Sequence, residues 1–95
     1  MTTPQEQHAV ITVIGQDRVG IISAVSSLLA GHEINIKDIS QTIMQDVFTM
    51  VMLVDITQMD IAFSELATKL ESVGSGLELT IRIQHVGIFN AMHRI

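Results

Sequence analysis

Six residues, Gly15-Gln16-Asp17-Arg18-Val19-Gly20, have the composition of a corner that receives an anion. Before them, Val10-Ile11-Thr12-Val13-Ile14 is a β-branched run that reads as a buried strand. After them, Ile21, Ile22, Val25, Leu28 and Leu29 recur at helical spacing. The hexapeptide is therefore a strand-to-helix turn. Such a turn aims the first, unpartnered helix N–H groups, here those of residues 19–22, at whatever lies in front of it. Gly15 and Gly20 allow positive φ and close approach of a ligand. Arg18 would stand beside a bound carboxylate, and Asp17 would cap the helix or accept a hydrogen bond from an ammonium group. The same residues also suit a plain tight turn with Arg18 in water, and spacing alone leaves both readings open.

No catalytic constellation accompanies the turn. His8, His32, His85 and His93 never fall three or four residues apart, so a metal site built by this chain alone is not expected. His8 and His85 become neighbours if the first and last strands pair. Ser23, Ser26 and Ser27 have no positioned base in view, which leaves nucleophilic catalysis without support. Asn35 opens the second strand with both donor and acceptor capability and, in a dimer, would face the turn of the other copy. Its plain alternative is to satisfy backbone after a helix, and Asp38 and Gln41 share that ambiguity. The expectation is a binding module with neither cofactor nor metal, not an enzyme.

Composition narrows the partners. The chain has 95 residues, enough for one domain with a modest core, and 47% of them are hydrophobic, which rules against disorder. Aromatics make up only 3%, with no Trp or Tyr, so a base-stacking platform is unsupported. A formal charge of −5 argues further against nucleic acid or an anionic membrane. The absence of Cys removes disulfides and thiol chemistry and suits a reducing cytoplasm. No apolar run reaches the roughly 18 residues of a membrane span. Residues 1–7 are polar, lack the layout of a signal peptide, and are expected to form a flexible leader.

Hydrophobic phase sets out the elements that must position the turn. A first strand over 8–14 is apolar on both faces, as in a sheet interior. A helix over 19–32 follows, buried through Ile21, Val25 and Leu28 with Ile22 and Leu29 beside them. Over 34–44 the apolar phase is even at Ile34 and Ile36 and odd at Ile39 and Ile43. A strand changes phase by bulging, so an irregularity is predicted near Lys37 and Asp38. Helical spacing competes there, but the β-branched content favours a strand. Gln45 and Asp46 make a tight turn into a strand over 47–56. That strand has Phe48, Met50, Met52, Val54 and Ile56 on one side and Val47, Val51 and Leu53 on the other.

A second helix carries Met59, Phe63, Leu66, Leu70 and Val73, and Gly74 and Gly76 are expected to end it. A strand over 77–83 alternates cleanly, as an edge strand should. Ile88, Phe89, Met92 and Ile95 suggest a short closing helix. The order β-α-β-β-α-β is the α+β, ferredoxin-like plan: a four-stranded antiparallel sheet with both helices on one face.

Two helices cover one face of such a sheet, yet two strands are apolar on both. Leaving about six large apolar side chains in water would forgo roughly 1.5–3 kcal/mol each. A second copy, joined edge to edge or face to face, solves this. The alternative is that residues 86–95 fold over the open face.

The run Gly15-Gln16-Asp17-Arg18-Val19-Gly20-Ile21-Ile22, then Val25-Ser26, then Ile34-Asn35-Ile36-Lys37-Asp38-Ile39-Ser40-Gln41, resembles the signature of ACT domains. Phe48-Thr49-Met50 and Ile88-Phe89-Asn90-Ala91-Met92 resemble a group of small stand-alone ACT proteins, similar to single domains of the glycine cleavage system regulator. The likeness covers about residues 8–95. It implies a dimeric, amino-acid-binding regulatory module whose ligand lies between the first turn of one copy and the second strand of another. Carried over by position, Gly15, Asp17, Arg18, Val19, Gly20 and Ile21 would form one side of the site and Asn35 and Ile36 the other. With no attached output domain, the signal would pass to an unidentified protein partner. Val19 stands where many ACT domains have Pro, and Glu33 where they commonly have Gly. Two further readings remain: a ligand-indifferent interaction subunit, and a small acyl-phosphate hydrolase that would use Arg18 and Asn35.

Overall fold

β-Branched and aliphatic residues build four strands, β1 (His8–Gln16), β2 (Asn35–Met44), β3 (Val47–Asp55) and β4 (Leu79–His85), and two amphipathic stretches form α1 (Ile21–Gly31) and α2 (Phe63–Leu77). They are seen in a computed structural model, which describes residues 7–86. The sheet order is β2-β3-β1-β4 and every neighbouring pair is antiparallel. This is the ferredoxin-like arrangement that the order of elements predicts. The closing helix expected around Ile88 to Ile95 lies outside the described residues, as does most of the expected leader.

The central strands explain the doubly apolar patterns. β1 and β3 lie inside the sheet; their Ala9, Ile11, Val13, Phe48, Met50, Met52 and Val54 meet Val25, Leu29, Leu66 and Leu70 of the helices in one buried cluster. Their other faces carry Ile14, Val47 and Val51, which are 49%, 47% and 41% exposed. The predicted irregularity in β2 is a register shift between Ile36 and Asp38, so Ile39 re-enters the phase of Ile36 on the helix side.

Boundaries shift where tertiary contacts override local signals. α1 begins at Ile21, two residues later than its apolar pattern suggests, because Gly20 adopts φ 95° and holds the chain out of the helix. Met59 packs on the core from the loop before α2 without joining the helix. Gly74 and Gly76 do not end α2: both lie inside it, and the stop is Glu78 at φ 59°. β4 consequently starts at Leu79 rather than at residue 77. His85 pairs with Ala9, so alternation sends it to the helix side, stacked on Phe63 at 4.0 Å, while His8 faces the other way.

Glu33 also takes a positive φ, 61°, between α1 and β2. A side chain in that conformation costs about 1–2 kcal/mol, part of which glycine's greater unfolded entropy offsets. Glu33→Gly is expected to raise the melting temperature by about 2–8 °C, read by circular dichroism. A lower value would mean that the glutamate side chain contributes more than its backbone loses.

Candidate functional site

Chain direction separates the candidate residues into two groups at opposite ends of the sheet. The β1–α1 turn lies at the end of β1 that pairs with the start of β3, through Gly15 with Phe48 and Gln16 with Val47. Asn35 lies at the other end, opposite Asp55, which is also opposite His8. At about 3.3 Å per residue, the length of β1 puts roughly 26 Å between the ends. One copy therefore cannot close a site between the turn and Asn35.

At the turn end, Asp17 donates its backbone N–H to the Asp46 carbonyl at 2.9 Å, fastening the turn to the β2–β3 hairpin. Both hairpin residues, Gln45 and Asp46, have positive φ (48° and 70°), the twist that a two-residue hairpin requires. The first α-helical bond runs from Ala24 N–H to the Gly20 carbonyl, leaving the amides of Ile21, Ile22 and Ser23 ahead of it without an intrahelical acceptor. No side chain caps them and the first turn holds no acidic residue, so the positive end of α1 is uncompensated by its own sequence. Asp17 thus does not act as the cap that its position allows. Val19, 97% exposed, lies in the turn and not in the helix.

The two glycines serve different ends. Gly20 needs its positive φ, and a Cβ there would meet nothing within 4 Å. Gly15 has an ordinary strand conformation, but a Cβ would come within 2.5 Å of Leu79 Cδ2 and 3.1 Å of the Glu78 carbonyl oxygen. Its smallness admits β4 rather than a ligand. Ile21 is buried in the core and Ile36 packs against it, so toward a ligand Ile21 offers its amide alone.

Arg18 reaches from the turn to α2, where its Nη1 donates to the Leu77 carbonyl oxygen at 3.3 Å. The last turn of α2 contains no basic residue, so Arg18 supplies the cation that a helix C-terminus favours. Gln16, Asp17 and Arg18 with Leu77 and Glu78 line an open recess of about 250 Å³. A larger concavity, about 680 Å³, lies on the open sheet face by the hairpin, among Thr42, Met44, Gln45, Val47 and Thr49. It has hydroxyls and apolar groups but no charged donor, and so suits a carboxylate less well than the turn does. Sequence reading missed the nearness of Asp46, Leu77 and Glu78, for which no local pattern exists.

At the Asn35 end, the Asp55 carboxyl is held below its ordinary value, chiefly by the Thr57 hydroxyl, then by the Thr57 N–H, with His8 and Lys37 assisting against the small cost of burial. Thr57 in turn accepts from the Gln7 N–H at 2.8 Å. His32, just past α1, pairs with Asp60 at 2.8 Å. Among the described residues no group of three or more His, Asp or Glu is placed to hold a metal ion.

The model of the ACT domain family matches residues 7–84. The chain belongs to the ACT domain family. Within it, the chain is 54% identical to a UPF0237 protein of Clostridium acetobutylicum over 87 residues, 92% of this chain and 98% of that one. The solved ACT domain protein from Streptococcus pneumoniae is 38% identical and superposes with a TM-score of 0.78, covering 90% of this chain and 96% of its own. A solved chain described as a proposed glycine cleavage system transcriptional repressor is 27% identical with a TM-score of 0.71, over 86% of this ACT chain and 47% of the other. ACT domains are in general small-molecule-binding regulatory modules, and the sheet and helices described above are theirs. No helix among the described residues of this member is long and apolar enough to cross a membrane.

Proposed function

We propose that this ACT protein senses a small amino acid at an interface between two copies. The carboxylate would sit before the free amides of Ile21 and Ile22 in the turn Asp17, Arg18, Val19, Gly20 of one copy. Asn35 and the backbone at Ile36 of the other copy would hold the polar atoms of the ligand. The observation that carries this reading is the separation of the turn from Asn35 within one chain. Antiparallel pairing along β2 reverses one copy against the other and brings Asn35 of the second copy to the turn end of the first. β2 is an edge strand, and Ile22, Ile39 and Ile43 on its flank are 38%, 39% and 54% exposed, as a surface awaiting a partner would be. The ligand would favour the paired state by its differential affinity, and a protein partner in the cytoplasm would read the change.

Calorimetry of the purified chain against the twenty amino acids is expected to find at least one saturable binder. Arg18, occupied with the Leu77 carbonyl, favours a second reading in which the turn is structural and the protein is an interaction subunit. A flat calorimetric panel together with a stable dimer would select that reading.

A further inference from the structure

We propose that Asp55 of the second copy takes the ammonium group of the bound amino acid, and that this carboxylate is what separates amino acids from the corresponding 2-hydroxy acids. The inference rests on the amino-acid site proposed above and assigns the half of the ligand that the turn leaves unmatched. The amides ahead of α1 answer a carboxylate, but they and the positive helix end disfavour an ammonium group. Asn35 offers that group only a neutral amide oxygen. A charge enclosed between two protein surfaces is costly unless it is paired, so the ammonium needs an anion within its reach.

Strand register supplies one. Asn35 and Asp55 are direct cross-strand partners on β2 and β3, so their side chains share a face with Cβ atoms about 4.5–5.5 Å apart. One nitrogen placed between them can donate to both. Asp55 is already oriented: its Oδ1 accepts from the Thr57 N–H at 2.9 Å and from the Thr57 hydroxyl at 2.5 Å. That hydroxyl in turn accepts the Gln7 N–H at 2.8 Å. Both bonds from Thr57 end on Oδ1, so Oδ2 stands outside the turn that Thr57 closes. They hold the carboxyl below its ordinary range and so keep it ionised. His8, opposite Asp55 on β1, and Lys37 in the β2 bulge act on it less than either Thr57 bond does.

Rival carboxylates fit less well. Asp38 lies past the bulge, opposite Leu53, and its Oδ1 accepts the Ile39 N–H at 2.9 Å. Asp17 stands in the turn itself, on the side where the carboxylate of the ligand would lie, so there like charge would face like.

Calorimetry of the full chain with glycine, L-alanine and L-serine, and with glycolate, L-lactate and L-glycerate as their ammonium-free counterparts, tests this. The wild type is expected to prefer the amino acid of a pair by about 10- to 100-fold, the worth of a charged hydrogen bond. Asp55→Asn keeps an oxygen for the Thr57 bonds and should bring the two members of the pair within about threefold of each other. Thr57→Ala, which leaves the charge but unfastens it, should fall in between, and it carries the test alone if circular dichroism shows that Asp55→Asn does not fold. The proposal is overturned if Asp55→Asn keeps the wild-type preference, or if Asp17→Asn abolishes that preference instead. Retained preference in Asp55→Asn, with binding lost in Asn35→Ala, would leave the amino-acid site standing and sink this inference alone. A wild-type chain that binds none of these compounds sinks both.

Discussion

Gly74→Ala is expected to lower the melting temperature by about 8–16 °C, while Gly76→Ala, two residues further along the same helix, raises it by about 2–4 °C. Helix propensity by itself favours alanine at both positions. Gly76 is exposed, and a Cβ there would meet nothing within 4 Å, so the propensity gain is kept, reduced by its nearness to the end of α2. At Gly74 the same Cβ would lie 2.7 Å from the Leu79 carbonyl oxygen and 3.1 Å from Ile81 Cγ1. The first of these is backbone of β4 and held by pairing with β1, so it cannot step aside cheaply. Overpacking of this kind costs about 1–3 kcal/mol or more, and a net loss near 2 kcal/mol remains after the propensity gain. Differential scanning calorimetry of the two variants reads the opposite signs. Two shifts of the same sign would show that the helix-to-strand contact is looser than its geometry.

Mixing two dead variants should revive the amino-acid site. Gly20→Val forces a β-branched residue into φ 95° and ruins the turn, whereas Asn35→Ala leaves the turn whole and removes the polar group on the second strand. Neither variant alone should bind the amino acid found by the calorimetric screen. In a mixed pair, one of the two sites joins an intact turn to an intact Asn35. Random reassembly of equal amounts should therefore recover about a quarter of the wild-type stoichiometry. Full binding by Asn35→Ala alone would remove Asn35 from the site, and failure of the mixture to bind would place turn and ligand in one chain.

Hydrophobic periodicity carries only the information that neighbours in sequence impose on one another. From it follow the order of strands and helices, the two-sided apolar character of β1 and β3, and even the misstep at Lys37, because each is a matter of phase within a few residues. The matching of residues such as Ile34-Asn35-Ile36 to a family pattern was likewise visible along the chain. What folding alone decided concerns residues remote in sequence. Gly15 and Gly74 are small because β4 arrives against them, whereas Gly20 is glycine because of its own φ, and composition reads all three alike. Arg18 meets the end of α2, and the turn stands a strand's length from Asn35. Asn35 and Asp55 share a face only through the register of β2 on β3. The physical reason is that register and close approach are settled by non-local packing, which no short stretch of sequence contains.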